Sequence, residues 1–161
     1  MINRDRQKFT IIKPDSGKYI NECFAIGREL KEYFTEEAII QLSNDLLRHS
    51  LYVVKNFNDV VGFATTHKRS SDVAEISFMA VKREHQRQGI GSALVDCAAN
   101  DLKSEGVKLV EIKTLSEDVD YFPYEKTRRF WKKKGFIHLD TIEPFPGWEP
   151  GSPCAIYVKI L

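Results

Sequence analysis

The chain has 161 residues, 42% hydrophobic and 29% charged, and its 24 Lys and Arg nearly cancel its 23 Asp and Glu, for a formal net charge of +1. That composition excludes a disordered or collagen-like chain. Near-neutrality excludes a global attraction to nucleic acid or an anionic membrane, so any anionic ligand must be held by a local feature.

At about 150 residues per domain, a single domain over residues 1–161 is expected. A chain of this length buries roughly 70% of its unfolded surface and needs no disulfide or metal staple. Cys23, Cys97 and Cys154 form no CxxC pair and no cluster with histidine, so a disulfide framework is not expected and a reducing cytoplasm is. His49, His67, His85 and His138 show neither HxxxH nor HxH spacing, so no metal site is expected. The opening stretch Met1–Lys8 is charged and lacks the apolar centre of a signal peptide. No run of about 18 apolar residues occurs, so no membrane partner is expected.

Phe9–Lys13 reads as a short strand stopped by Pro14. Asp15 or Ser16 then caps a helix carrying Tyr19, Ile20, Cys23, Phe24 and Ile26. Thr35-Glu-Glu opens a second helix, with acids where the dipole favours them. Leu51–Lys55 and Val60–His67, joined across Phe57-Asn-Asp59, read as a hairpin, and Asp72–Val81 continues it as a meander. Ser92–Leu102 is helical, Gly106 stops it, and Val107–Thr114 is a strand. Tyr124–Lys134 is a basic helix ended by Gly135. Strands Phe136–Ile142 and Cys154–Ile160 flank a Pro/Gly/Trp-rich loop. The fold class is α/β, with a mixed, largely antiparallel central sheet flanked by helices.

The segment Lys82–Gly91 is polar, basic and glycine-bearing, and it leads from a strand into a helix. The first helical N–H groups lack intrahelical partners, and the helix dipole adds partial positive charge there. Gly89 and Gly91 let a phosphate approach the backbone, and Arg87 adds a cation. A Walker A loop is excluded because the Gly-Lys pair, Gly17-Lys18, is followed by Tyr19 and has Ile12 where the motif's first glycine belongs. A dinucleotide fingerprint fails at Leu94, although Glu111 stands where a ribose-binding acid is expected. The preceding antiparallel meander also argues against a βαβ unit.

Gln86-Arg-Gln-Gly-Ile-Gly91 resembles the [Q/R]xxGxG/A signature of the GNAT superfamily of acyl-CoA-dependent N-acetyltransferases. Ala74–Val81 is similar to the strand before that signature in histone-acetylating members, and Phe130-Trp-Lys-Lys-Lys-Gly-Phe136 is similar to the family's F-Y-x-x-x-G-F helix end. The resemblance spans most of the chain from about Phe9 and implies acetyl-CoA as co-substrate and a primary amine as acceptor. It implies that amides of Arg87, Gln88, Gly89, Ile90, Gly91 and Ser92 bind the pyrophosphate. It further implies that Met79, Ala80 and Val81 pair with the pantetheine arm in a gap between their strand and Val107–Thr114, and that Thr127 and Phe130 line the cofactor. Glu75 matches the general-base glutamate. The family's acid tyrosine is replaced by Trp131, which is donor-only. Tyr124, where the family often has asparagine, is the substitute candidate, with unassisted thiolate release as the alternative. Homodimers are common in the family, though nothing in this chain demands one. A non-catalytic acyl-CoA sensor, a nucleotide-dependent oxidoreductase and a peptide-binding module remain the competing readings.

Substrate choice is expected to reside in Arg28–Phe34 and in the loop with Glu143, Phe145, Trp148 and Glu149. Aromatic and acidic groups there suit a cationic amine. The basic run Arg128–Lys134 is expected to be a solvated helix face.

Overall fold

The computed structural model describes residues 9–161, and the charged stretch Met1–Lys8 lies outside the described residues. Strand β1 (Phe9–Ile12) is followed by helices α1 (Ile20–Glu29) and α2 (Glu36–Arg48). Then come strands β2 (Ser50–Asn56), β3 (Asp59–Lys68) and β4 (Val73–Val81) and helix α3 (Ile90–Ser104). Strand β5 (Leu109–Leu115), helix α4 (Phe122–Lys133), and strands β6 (Ile137–Ile142) and β7 (Cys154–Ile160) complete the chain.

Helix α1 starts later than Asp15 or Ser16. Gly17 sits at φ 87° in a turn closed by Lys18 N–H donating to the Asp15 carbonyl, and Tyr19 enters the helix left-handed at φ 65° with no side-chain cap. That conformation stops the helix from extending back to Asp15. Helix α2 begins as expected, with the Thr35 hydroxyl accepting from Ala38 N–H at 3.2 Å. Arg128 is a correction. It is 8% exposed rather than solvated, and its guanidinium donates to the Leu115 and Ser116 carbonyls at 2.9 and 3.4 Å, tying α4 to the end of β5.

The seven strands form one sheet in the order β1-β2-β3-β4-β5-β7-β6. Every neighbouring pair is antiparallel except β4 and β5. Helices α1 and α2 cover one face, packing Cys23, Ile26 and Leu42 on Val53, Phe63 and Ala80. Helix α3 and Trp131 of α4 cover the other, over Val54, Val61, Ile76, Val110, Ile112 and Tyr157. Leu42, Phe63 and Leu94 are fully buried, each contributing roughly 1.5–3 kcal/mol over exposure to water.

Two irregularities in β4 build the site. It pairs with β5 only at Val73, Ala74 and Glu75, after which the two strands part. Its register against β3 shifts, because Thr65 faces Phe78 and Thr66 faces Ile76, leaving Ser77 as an extra residue. Such a bulge reverses the alternation of side chains. Ala74 and Ile76 therefore face α3 before it, while Met79 and Val81 face α3 after it. The buried Thr65 hydroxyl holds the bulge, bonding Ser77 Oγ at 3.0 Å and accepting from Phe78 N–H at 3.1 Å.

Candidate active site

The parted strands leave the far end of β4 with an open edge. Lys82 N–H donates to the Val61 carbonyl on β3. In an antiparallel ladder, bonded and non-bonded pairs alternate, so Ala80 is directed at Phe63 of β3 while the backbone groups of Met79 and Val81 face the gap. Ala80 is thus committed to the sheet, and its methyl packs in the α1/α2 core. The Gln86 amide already donates to the Val81 carbonyl at 2.9 Å.

The same gap leads to the start of α3. After a 3-10 turn at Arg83–His85, Arg87 adopts φ 64° and Gly89 φ 83° before the helix begins. Among the described residues, no backbone N–H from Arg87 to Ser92 meets a backbone carbonyl; the first helical bond is Ala93 N–H to Gly89. Arg87, Gln88 and Gly89 are exposed, whereas the Ile90 side chain is 4% exposed and anchors the helix in the core. Gly91 lies under Phe130 and Met79, and a Cβ there would stand 3.5 Å from the Phe130 ring. These residues fit a pyrophosphate followed by an extended arm: a run of free donors, a bare backbone and an open strand edge.

Glu75 lies where β4 and β5 separate, on the α1/α2 face, 7% exposed. Lys113 Nζ, Arg69 Nη1 and His67 Nε2 stand 2.7, 3.0 and 3.6 Å from its Oε2. Lys113 is also 3.0 Å from Glu111. Burial pushes the Glu75 carboxyl up, but Lys113, His67 and Arg69 outweigh it and hold it below the usual carboxylate range.

Tyr124 and Thr127 share a face of α4. The Tyr124 hydroxyl donates to the Tyr33 carbonyl at 2.8 Å, and burial pushes its pKa up to about 12. Tyr121 donates to the Glu32 carbonyl at 3.0 Å, and Glu32 pairs with Arg83. The loop between α1 and α2 is thereby fastened across the gap to α4. Thr127 Oγ1 bonds back to the Pro123 carbonyl at 3.5 Å. Trp131 is buried between Phe130 and Phe136, with ring centroids 5.0 Å from each, so the indole is core.

The loop between β6 and β7 is tied to α2 by Gln41 donating to the Gly147 carbonyl at 3.3 Å. Lys113 Nζ sits 5.9 Å from the Phe145 ring centroid, so that aromatic face already has a cation of the protein's own. The histidines are less scattered than their spacing suggests, since His49 and His67 stack with centroids 4.2 Å apart. Their ligand atoms and that of Asp45 lie within 4.8 Å of one another. Sequence reading missed this group, as well as Lys113 and Arg69, because strand pairing brings them together. His85 is half-buried, its ring edge against Phe9. No helix among the described residues is long and apolar enough to cross a membrane.

A family model described as the Acetyltransferase (GNAT) family matches residues 18–136. A GNAT-family protein from Desulfovibrio desulfuricans superposes with a TM-score of 0.83 at 18% identity, covering 95% of this chain and 99% of that one. Ard1 from Thermoplasma volcanium gives 0.73 at 25% identity, covering 95% and 97%. A GNAT-family acetyltransferase from Elizabethkingia anophelis, solved with acetyl-CoA bound, gives 0.71 at 22% identity, covering 95% and 98%. None of the curated proteins matches the sequence. The family match spans well over half of the chain, and with the parted β4 and β5 and the open start of α3 it identifies the protein as a member of the GNAT acetyltransferase family.

Proposed function

We propose that the protein transfers an acetyl group from acetyl-CoA to a primary amine of a small molecule or peptide by direct attack. The observation that carries this reading is the continuity of the β4 edge at Met79 and Val81 with the unpartnered N–H groups of Arg87–Ser92. The Arg87–Ser92 amides hold the pyrophosphate, with the α3 dipole and the Arg87 cation adding to the attraction. Met79 and Val81 align the pantetheine arm like an added strand. Thr127 and Phe130 flank it from α4. When bound, acetyl-CoA supplies an activated acetyl thioester.

The acceptor enters on the α1/α2 face, beside Glu75 and beneath the fastened Glu32–Tyr33 segment. An ammonium must lose a proton before its nitrogen can attack, and Glu75 receives that proton through water. Lys113, Arg69 and His67 all approach Oε2, which leaves Oε1 as the receiving oxygen. The Tyr124 hydrogen is engaged by Tyr33, and a thiolate is a far better leaving group than an amide nitrogen. Tyr124 therefore positions the acceptor loop, and the thiolate departs without an enzymic acid.

The Lys113 and Arg69 contacts favour a second reading, a non-catalytic acyl-CoA sensor, because they weaken Glu75 as a base. Isothermal titration with acetyl-CoA, followed by thiol release across a panel of primary amines, separates the readings. Binding with amine-dependent release supports transfer. Binding without release from any amine supports the sensor, and no binding contradicts both.

A further inference from the structure

Asp45 and His49 stand one helical turn apart at the end of α2, so their side chains share a face. The His49 backbone N–H donates to the Asp45 carbonyl at 2.9 Å, which fixes the two residues relative to each other. His67 reaches them from β3 and stacks on His49, with ring centroids 4.2 Å apart. One nitrogen from each ring and one Asp45 carboxylate oxygen all lie within 4.8 Å of one another.

The hydrogen bonding of this group is incomplete. His49 Nδ1 and His67 Nδ1 are both buried, and neither meets a hydrogen-bond partner among the described residues. Asp45 Oδ2 lies 3.2 Å from His49 Nδ1, near enough to attract it but out of line for a hydrogen bond. On His67 the hydrogen belongs on Nε2, which faces Glu75 Oε2 at 3.6 Å, so Nδ1 carries a lone pair with nothing to receive it. A buried polar atom left unpaired costs free energy that a bound ion recovers. A carboxylate behind the N–H and a free lone pair in front is the arrangement of a metal-ligating histidine, because the carboxylate fixes the tautomer and raises the basicity of the ring. Glu75 takes that place, opposite His67 in the β3–β4 ladder.

Two imidazole nitrogens and one carboxylate oxygen, with a fourth position open, are a donor set for Zn²⁺. The nearby cations do not compete for Asp45, since Arg69 and Lys113 are each held by Glu75 and Glu111. The Asp45, His49 and His67 side chains are 17, 26 and 25% exposed, so water can reach the fourth position. The rings, inclined at 18°, send their lone pairs alongside each other rather than at one point. Closing on an ion about 2.1 Å from each nitrogen takes a turn of the His49 ring about its soft terminal torsion. His49 follows the last residue of α2, so that turn disturbs no helical packing.

We propose that Asp45, His49 and His67 form a Zn²⁺ site that clamps the end of α2 to β3 directly behind Glu75. When bound, the ion polarises the His67 N–H towards Glu75 Oε2, so the clamp also orients the carboxylate. The site goes beyond the acetyltransferase reading, and its test needs no acetyl transfer.

The test is isothermal titration of the untagged full chain, stripped with chelator, with Zn²⁺ alone at neutral pH, and with Co²⁺ read by visible absorption. Wild type is expected to take up one Zn²⁺ per chain with micromolar or tighter affinity. Its melting temperature rises with free Zn²⁺, because the ion binds the folded chain, and Co²⁺ gives the intense visible absorption of a four-coordinate site. Glu75→Gln, which alters only the group behind a ligand, is expected to weaken Zn²⁺ binding about tenfold. His49→Ala and His67→Ala, which lose a ligand, are expected to weaken it about 100-fold or more. His49 lies past the helix end, so His49→Ala should melt like chelated wild type and keeps the test decisive if His67→Ala fails to fold. Wild type that takes up no ion overturns the site. Binding of wild-type strength in both His49→Ala and Asp45→Asn also overturns it, by placing the ion elsewhere on the chain.

Discussion

Lys113 Nζ lies 2.7 Å from Glu75 Oε2 at the point where β4 and β5 part, a side-chain bridge placed just where the backbone ladder ends. Both side chains are largely buried, 13% and 9% exposed, so each charge depends on the other. Removing one partner of a buried pair costs about 3–5 kcal/mol, and Arg69 remains beside Glu75 to reduce that loss.

Lys113→Met is therefore expected to lower the urea midpoint, by about 2 kcal/mol in unfolding free energy. It also raises the Glu75 pKa towards the ordinary carboxylate value. Because that pKa is depressed in the folded state, the stability it contributes is fully present above the unfolded value and lost as pH falls through the folded one. Urea titrations should show wild type losing more stability than Lys113→Met on acidification below about pH 4.5. Equal slopes in the two proteins would show that Lys113 does not set the Glu75 ionisation.

Gly91 has room for a methyl group within the protein itself, at ordinary contact with Phe130. Gly91→Ala should melt within a few degrees of wild type and, because the signature admits alanine there, weaken acetyl-CoA binding by no more than about twofold, or ~0.4 kcal/mol. Gly91→Val should press on Phe130 and weaken binding further. Wild-type affinity in Gly91→Val would remove this helix start from the cofactor site.

Gly89 differs, since nothing lies within 4 Å of its missing Cβ and its φ of 83° is the constraint. Gly89→Ala should destabilise the fold by about 1–2 kcal/mol through the left-handed conformation alone. A denaturant midpoint equal to that of wild type would show that the loop adopts another conformation.

Tyr124 keeps its proton to about pH 12 and spends it on the Tyr33 carbonyl. Tyr124→Phe should leave kcat within about threefold, a barrier change of ~0.7 kcal/mol, and raise KM for the amine as the loop loosens. A loss of kcat of about 10²-fold or more at unchanged KM would instead make Tyr124 the acid for the thiolate.

The strands, the glycine-bearing start of α3 and the place of Glu75 on β4 are legible in the sequence because each depends on local pattern or on a short motif. The Ser77 bulge is not legible, since an extra residue in a strand looks like continued alternation until the partner's register is known. The start of α1 is not legible either, because Asp15 and Ser16 are good caps, while Gly17 and Tyr19 adopt left-handed backbones that no composition rule demands. His49 and His67 lie on either side of the β2–β3 hairpin and meet only once it closes. Arg128 sits in a basic run, and the uncapped carbonyls at the end of β5 that bury it belong to a different element.

The most direct test of the account is to incubate the protein with acetyl-CoA and a panel of primary amines and weigh the products by mass spectrometry, with Glu75→Gln alongside. The account predicts an amine that gains a single acetyl group, free CoA in equal amount, and a rate that falls in Glu75→Gln while acetyl-CoA binding persists. Tight acetyl-CoA binding with no acetylated product from any amine would contradict it.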